Sequence, residues 1–175
     1  MISYKHYDIN NLSDLLENKE FLKEIHKIKY ENEVVEKNYI SRLTTYLFSN
    51  KQNIEFFLIL KDGKPIGFNQ GLRYDNKYFS ENQYILKEYR DKGYGKKLKL
   101  RVVAYLRAKK RVTLFSGRPV VNNRMYSINE FIANRKQKTS KGRYVLEKDP
   151  LKNKPYLSKD GKEKPRTVLK FVKRK

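Results

Sequence analysis

The stretch KEYRDKGYGKKLKL, residues 87–100, lies between an apolar, extended run and a strongly basic, helix-forming run. Two glycines, Gly93 and Gly95, stand one residue apart and shortly after Arg90. The N–H groups at the start of a helix attract anions, and glycines let a ligand approach the backbone without a Cβ in the way. The stretch therefore predicts a phosphate-binding loop between a strand and a helix.

Two well-known phosphate-loop patterns do not fit this loop. The P-loop pattern G-x-x-x-x-G-K-[ST] is absent, and the dinucleotide pattern G-x-G-x-x-G requires a glycine where the chain has Leu98. A bare G-x-G also suits a tight turn followed by a solvated helix. Phosphate binding gains support from the following helix, whose charged residues are all basic: Lys96, Lys97, Lys99, Arg101, Arg107, Lys109, Lys110 and Arg111.

The sequence on either side of the loop predicts alternating strands and helices. The predicted strands are ISYKHYDI, IEFFLILK, KPIGFNQGLRY, KYFSENQYIL, VTLFSG, GRYVLEK and RTVLKFV. The predicted helices are NNLSDLLENKEFLKEIHKI, VVEKNYISRLTTYLFSN, GKKLKLRVVAYLRAKKR and VNNRMYSINEFIANRKQ. The Asp62-Gly63 pair predicts a hairpin turn. This order indicates an α/β or mixed α+β fold with helices on both faces of a sheet.

Composition narrows the classes of protein to consider. The 175 residues suit one domain over residues 1–175, with a strongly basic C-terminal segment, 135–175. The chain has no cysteine and only two histidines, so we expect no disulfide, no cysteine nucleophile and no metal site. It has no apolar run of about 18 residues, so we expect no membrane span and no membrane partner. The polar start favours a cytoplasmic protein.

Three segments of the chain resemble the GCN5-related N-acetyltransferase (GNAT) superfamily. Motif A of that superfamily, [QR]-x-x-G-x-[GA] between a strand and a helix, is matched by Arg90, Gly93 and Gly95. The segment KDGKPIGF resembles the hairpin that precedes motif A. The segment NNRMYSINEFIAN resembles the later motif N-x-x-M-x-x-x-N-x-x-L-G-F at four positions: Asn122, Met125, Asn129 and Ile132. By motif the resemblance spans residues 50–135.

The resemblance implies a fold, a reaction and a cofactor. The fold is a central mixed, mostly antiparallel sheet with helices on both faces and a V-shaped splay between the fourth and fifth strands. The reaction is acetyl-CoA-dependent N-acetylation, with direct attack by a substrate amine. The loop would hold the pyrophosphate, and pantetheine would pair with strand backbone around Ile85 and Lys87. The residues that the resemblance assigns to the cofactor are Ile85, Lys87, Arg90, Lys92, Gly93, Tyr94, Gly95, Lys96 and Asn122.

The catalytic residues match the superfamily pattern less closely. Glu81 is the only carboxylate on the motif A strand and is the candidate base, although an ordinary solvent-facing glutamate is the alternative. Many GNAT enzymes protonate the departing thiolate with a tyrosine of the late helix. The matching position here is Asn129, which cannot usefully give up a proton. Tyr126, one turn earlier, is the candidate substitute or else a structural tyrosine. The closing Gly-Phe of that motif is replaced by Ala133-Asn134.

Charge is the guide to the acceptor. The net charge is +22, and residues 135–175 hold 16 lysines and arginines against 4 acids, with Tyr144, Tyr156 and Phe171 among them. Cations interleaved with aromatic rings suit nucleic acid, although a lysine-rich solvated surface is the alternative. We expect an acceptor that is nucleic acid or a protein associated with it. Polyamines and aminoglycosides are disfavoured because they are polycations.

Two other functions remain open on the sequence alone. One is a GNAT-fold nucleic-acid-binding protein without turnover, which Asn129 and the lack of a well-matched base suggest. The other is a phage-type enzyme that modifies DNA bases within the same fold. The sequence also leaves the oligomeric state open, a homodimer included.

Overall fold

The computed structural model describes the backbone of residues 1–30, 39–75, 77–109, 113–116, 123–134, 143–148, 156–157, 163–164 and 167–172. The helices are α1 (Leu12–Glu17), α2 (Lys19–Tyr30), α3 (Tyr39–Ser49), α4 (Tyr94–Ala108) and α5 (Asn123–Asn134), with a 3₁₀ turn at Lys87–Tyr89. The strands are β1 (Ile2–Tyr7), β2 (Ile54–Lys61), β3 (Lys64–Tyr74), β4 (Lys77–Ile85), β5 (Thr113–Ser116), β6 (Arg143–Lys148), β7 (Tyr156–Leu157), β8 (Glu163–Lys164) and β9 (Thr167–Val172).

The chain forms two compact units, and β4 contributes to both. Unit 1 comprises Met1–Arg73 and Asn82–Val102, and unit 2 comprises Tyr74–Glu81 and Val103–Lys175. The prediction of a single domain over residues 1–175 stays a prediction. Within the described residues, no helix has both the length and the apolar character needed to cross a membrane.

Unit 1 contains a sheet with the strand order β1-β2-β3-β4. The antiparallel β2–β3 hairpin turns at Asp62 and Gly63, whose φ angles of 51° and 81° both lie in the left-handed region, as the Asp-Gly prediction requires. A Cβ on Gly67 would lie 2.3 Å from Ile85 Cδ1 and 2.7 Å from the Tyr84 carbonyl oxygen. A glycine is therefore needed at this point of β3, where β4 passes close to it.

Helices cover both faces of the unit 1 sheet, as predicted. Lys29 of α2 donates to the Tyr84 hydroxyl at 2.9 Å, whereas the side chain of Gln83 donates to the Gly95 carbonyl of α4 at 3.0 Å. Successive side chains of a strand point to opposite faces, so α2 and α4 lie on opposite sides of β4. The buried apolar side chains of this unit include Leu15, Leu22, Ile25, Ile28, Leu47, Phe56, Leu58 and Phe68.

A buried carboxylate links three strands of the same sheet. Glu55 of β2 is 1% exposed, and its two oxygens lie 2.5 Å from His6 Nε2 and 3.0 Å from Arg73 Nε. Paired neighbours offset the cost of burying this charge. Ligand-type atoms of His6, Asp8 and Glu55 lie within 4.8 Å of one another, the one such group among the described residues. One Glu55 oxygen contacts His6 and the other contacts Arg73, so both potential ligand atoms already have partners. That the chain binds no metal stays our prediction.

The first predicted helix is wrong in one respect, because the structure breaks it into α1 and α2 at Asn18. The Asn18 side chain accepts a hydrogen bond from the Phe21 amide at 3.0 Å and so caps the start of α2. The second predicted helix appears as α3 from Tyr39. Its predicted first residues, 34–38, lie outside the described residues.

Unit 2 contains the strand order β4-β5-β9-β6. The first four residues of β4 pair in parallel with β5, from Lys77 opposite Thr113 to Ser80 opposite Ser116. β9 is antiparallel to both β5 and β6, which confirms the predicted mixed, mostly antiparallel sheet. A two-stranded hairpin of β7 and β8 lies in the polar stretch where no strand was predicted, because each strand has only two residues.

Candidate active site

The predicted phosphate loop leads from the end of β4 into α4. Gly93 has a φ of 79°, and its carbonyl accepts the first hydrogen bond of α4, from the Lys97 amide at 3.0 Å. The amides of Tyr94 and Gly95 precede that bond and have no carbonyl acceptor inside the helix. Their N–H groups and the positive end of the helix dipole suit an anion, as the sequence predicts.

The second glycine serves a different purpose from the first. Gly95 lies in the first turn of α4 and does not have a positive φ. A Cβ at this position would lie 3.7 Å from Gln83 Nε2 and 3.7 Å from Ile85 Cγ1, which is ordinary contact distance. The space accommodates a methyl group at contact distance from both neighbours, which gives a physical reason for glycine or alanine in the motif.

A buried chain of amides fixes the start of α4 against the sheet, and sequence reasoning missed it. Asn69, which is fully buried on β3, donates to Gln83 Oε1 at 3.1 Å. Gln83 in turn donates to the Gly95 carbonyl at 3.0 Å. The only signal in the sequence is the occurrence of amide residues in both strands, with Asn69 in β3 and Gln83 in β4. Because these contacts join residues far apart in the chain, the motif alone does not reveal them.

Arg90 and Lys87 bracket the turn between β4 and the loop. The Arg90 Nε donates to the Ile85 carbonyl at 3.1 Å, so this side chain ties the loop to the last residue of β4. Lys87 lies in the 3₁₀ turn rather than in the strand, so the prediction that strand backbone continues to Lys87 is wrong. Lys92 is exposed, and its ammonium donates to the Glu88 carbonyl at 2.8 Å.

Lys99 differs most from its predicted surroundings. The sequence places it among the cations of α4 that attract phosphate, but its side chain is fully buried beside Leu98 and Val102 of the same helix. Burial lowers the pKa of Lys99 to about 7. Lys99 is therefore not an exposed phosphate-binding cation, whereas Lys97 and Arg101 of the same helix are exposed.

The candidate catalytic residues lie in two elements. Glu81 is a residue of β4, and Tyr126 and Asn129 lie one turn apart in α5. Asn129 is 3% exposed. The side chains of Glu81 and Tyr126 lie outside the described part of the structure, as does the whole of Asn122, so their roles stay predictions.

The sequence model of the acetyltransferase (GNAT) family matches residues 19–129, more than half of the chain. The chain belongs to the GNAT family of acetyltransferases. This GNAT enzyme is accordingly an acyltransferase that uses acetyl-CoA to acetylate an amine. No curated protein matches it in sequence.

Solved structures share the GNAT fold at low sequence identity. The ribosomal-protein-S18-alanine N-acetyltransferase from Escherichia coli has a TM-score of 0.61 and 12% identity, covering 100% of this chain and 96% of that one. PaiA N-acetyltransferase from Thermoplasma acidophilum, in complex with coenzyme A, has a TM-score of 0.53 and 18% identity. That match covers 98% of this chain and 99% of the neighbour. An aminoglycoside acetyltransferase from an uncultured soil metagenomic sample, in complex with sisomicin, has a TM-score of 0.55 and 15% identity. That match covers 83% of this chain and 97% of the neighbour. These likenesses confirm the fold.

Proposed function

We propose that this GNAT enzyme acetylates an amine of nucleic acid, or of a protein bound to nucleic acid. The observation that supports the acceptor class is the net charge of +22, with 16 basic residues against 4 acidic ones in residues 135–175. Such an excess attracts polyanions and lowers the local concentration of polycations. The anionic acyl donor alone does not require an excess of this size.

The names of two structural neighbours give the proposal a contrast. The Escherichia coli neighbour is named for acetylating a ribosomal protein, which is a protein bound to RNA. The metagenomic neighbour is named for aminoglycosides, which are polycations. The charge of this chain favours the first kind of acceptor, because a polycation would have to approach a surface of the same sign.

We assign the pyrophosphate of acetyl-CoA to the loop that opens α4. The Tyr94 and Gly95 amides lie in the first turn of the helix, where their N–H groups can donate to an anion. Gly93 supplies the left-handed turn before the helix. Arg90, Lys92 and Lys96 add positive charge, with Arg90 also fixing the loop to the end of β4. Ile85 would present strand backbone to pantetheine, and Lys87 and Asn122 complete the proposed cofactor-binding set.

The proposed reaction is direct transfer. The acceptor nitrogen attacks the thioester carbonyl carbon, the C–N bond forms, and the C–S bond breaks to release coenzyme A as a thiolate. We assign Glu81 as the base that accepts the proton lost by the acceptor nitrogen. We assign Tyr126 as the acid that donates a proton to the thiolate. Positioning of amine and thioester supplies most of the acceleration, and proton transfer supplies a smaller part.

Mass spectrometry of total nucleic acid and total protein, from cells with and without the gene, tests the acceptor class. The proposal expects an acetylated nucleobase, or an acetylated protein of the ribosome or nucleoid, that disappears when the gene is deleted. An acetylated DNA base would point to the DNA-modifying form of the same activity. An acetylated small polycation as the only missing product would contradict the proposal.

A second candidate, nucleic-acid binding without turnover, is favoured by one observation. Asn129 occupies the position of the usual tyrosine acid and is buried, so the expected proton donor is absent from that position. Purified protein that binds nucleic acid, gains no thermal stability from acetyl-CoA and yields no acetylated product would support this candidate. A thermal shift with acetyl-CoA together with an acetylated product would exclude it.

A further inference from the structure

Three tyrosine rings of unit 1 have cations against them, and two of these rings lie at the phosphate loop. The Nζ atoms of Lys61 and Lys92 lie 5.3 and 5.8 Å from the centroid of the Tyr89 ring. Lys97 Nζ lies 5.3 Å from the Tyr94 centroid, and Arg101 Cζ lies 5.8 Å from the Tyr4 centroid. We call this set the tyrosine–cation arc: Tyr4, Lys61, Tyr89, Lys92, Tyr94, Lys97 and Arg101.

The members of the arc form one continuous surface. The rings of Tyr89 and Tyr94 meet edge to face with centroids 6.1 Å apart, which joins the 3₁₀ turn to the start of α4. Lys97 and Arg101 are four residues apart on α4, so they lie on the same side of the helix, about 6 Å apart along its axis. Both are exposed, as is Lys92. The surface therefore extends from the loop along α4 to Tyr4 of β1.

The charge of the arc is positive despite acids nearby. Glu88 and Asp91 lie in the same turn and are exposed. Asp62 pairs with the N-terminal amine of Met1. Four side-chain cations belong to the arc itself, and three half-buried aromatic rings lie between them. Aromatic rings that accept stacked bases, interleaved with cations that meet the backbone, are the typical equipment of surfaces for single-stranded nucleic acid.

We propose that the tyrosine–cation arc binds single-stranded nucleic acid, whether or not that nucleic acid is also the acetyl acceptor. The arc uses the ring of Tyr94, whose amide is assigned to the pyrophosphate, and it shares the charge of Lys92 with the proposed pyrophosphate loop. The three rings belong to three elements, so a polymer can contact all of them, whereas the single base of a free nucleotide cannot. Stacking requires unpaired bases, so a duplex can use only the cations. Stacking and phosphate contacts read neither base identity nor the 2′-hydroxyl, so DNA and RNA strands should bind alike.

The first experiment measures the salt dependence of binding with the full-length protein. Fluorescence anisotropy of labelled oligo-dT and oligo-U of about 16 nucleotides, the upper site size of one single-strand-binding fold, gives the affinity over a salt series. Lys97→Gln with Arg101→Gln should reduce the slope of log K against log salt by about 1.4, because each phosphate contact contributes about 0.7. The matched control is Lys23→Gln with Lys27→Gln, two exposed lysines four residues apart on α2.

The second experiment tests stacking. Tyr89→Leu and Tyr4→Leu should each weaken oligonucleotide binding roughly 5- to 150-fold and leave the salt slope unchanged, since no charge is lost. Tyr74→Leu is the control, because Tyr74 is 45% exposed and its ring packs against Phe79, which does not belong to the arc. Circular dichroism melting confirms that each variant is folded.

Several results would overturn the arc. Equal slopes for the α4 and α2 double variants would place the binding surface elsewhere, for example in residues 135–175. Duplex that binds as tightly as single strands, with no effect of the tyrosine substitutions, would reduce it to ordinary charge attraction. Failure of the proposed function is a separate result: oligonucleotide binding with the expected slopes, but an acetylated product unrelated to nucleic acid, leaves the arc standing.

Discussion

At the scale of single residues, the two glycines of the loop have different physical requirements. Gly93 has a left-handed backbone, which most residues adopt only at a cost of about 1 kcal/mol or more. Gly95 has helical backbone and is limited by the space in front of Gln83 and Ile85. The motif predicted that both glycines lie where the loop enters α4. Only the structure shows that Gly93 turns the chain and that Gly95 leaves room for Gln83 and Ile85.

The limit on space at Gly95 gives a graded prediction. Gly95→Ala should keep most acetyl-CoA affinity, because its Cβ meets its neighbours at ordinary contact distance. Gly95→Glu should abolish the thermal shift on adding acetyl-CoA, because a carboxylate would occupy the phosphate position and repel it. Differential scanning fluorimetry with and without acetyl-CoA makes the comparison. Unchanged stabilisation of the glutamate variant would show that the loop is not the pyrophosphate site.

Gln83 is expected to position the loop rather than touch the reaction. Gln83→Leu nearly keeps the volume but removes the hydrogen bonds that the Gln83 side chain makes with the Gly95 carbonyl and with the Asn69 side chain. A lost hydrogen bond of about 1 kcal/mol predicts a KM for acetyl-CoA raised several-fold. We expect kcat to change little.

Steady-state kinetics with the acceptor saturating separates the two parameters. Gln52→Leu, an exposed glutamine of the loop before β2, is the matched control and should change neither. A fall in kcat with an unchanged KM would mean that Gln83 acts on the transferring group, and the positioning role would then be wrong.

At the scale of elements, the sequence predicted what local pattern determines. The hairpin at Asp62-Gly63 and the strand–loop–helix around residue 93 follow from turn chemistry and periodicity. The break at Asn18 was missed because apolar spacing continues across it, from Leu15 to Leu22. The burial of Lys99 was missed because a lysine within a basic helix looks like part of the exposed face. Such features depend on which side of the helix packs, and composition does not record that.

Lys99 gives α4 a pH-dependent stability with a definite sign. Its pKa is about 7 when folded and has an ordinary value of 10.5. Between these values the unfolded chain holds a proton that the folded chain has released, so raising the pH stabilises the fold by up to about 1.4 kcal/mol per pH unit. The full cost of burial applies below pH 7. Lys99→Met should therefore stabilise the protein more at pH 7 than at pH 9.

Urea unfolding of wild type and variant at both pH values gives this difference directly. Lys97→Met is the control for exchanging a lysine of α4 for methionine, because Lys97 is exposed on the same helix. Other groups titrate in this range, but they cancel in the difference between variant and wild type. A stability difference that is the same at pH 7 and pH 9 would show that Lys99 is not held neutral by the fold.

At the scale of the whole molecule, charge and fold are independent properties, and both bear on how the anionic cofactor binds. The fold was predictable because two motifs occur in the right order, and their physical requirements match the elements around them. The net charge of +22 says nothing about the fold, but it determines which ligands are attracted. Neither property identifies the acceptor by itself, because the contacts of particular side chains determine which acceptor binds. Glu81 and Tyr126 are proposed to transfer protons, and kinetics of the purified enzyme test those two roles.

With the acceptor saturating, the positive charge predicts that added salt lowers kcat/KM for anionic acetyl donors only. Acetyl-CoA brings phosphates to a cationic surface, so kcat/KM for it should fall steeply as ionic strength rises from about 0.01 to about 0.1 M, where the screening length shortens from about 30 to about 10 Å. S-acetylpantetheine transfers the same acetyl group from the same thioester without any phosphate. Its kcat/KM should be much lower and nearly independent of salt. Parallel salt dependence for the two donors would mean that salt acts on the acceptor or on the fold, and that the positive charge does not guide the cofactor.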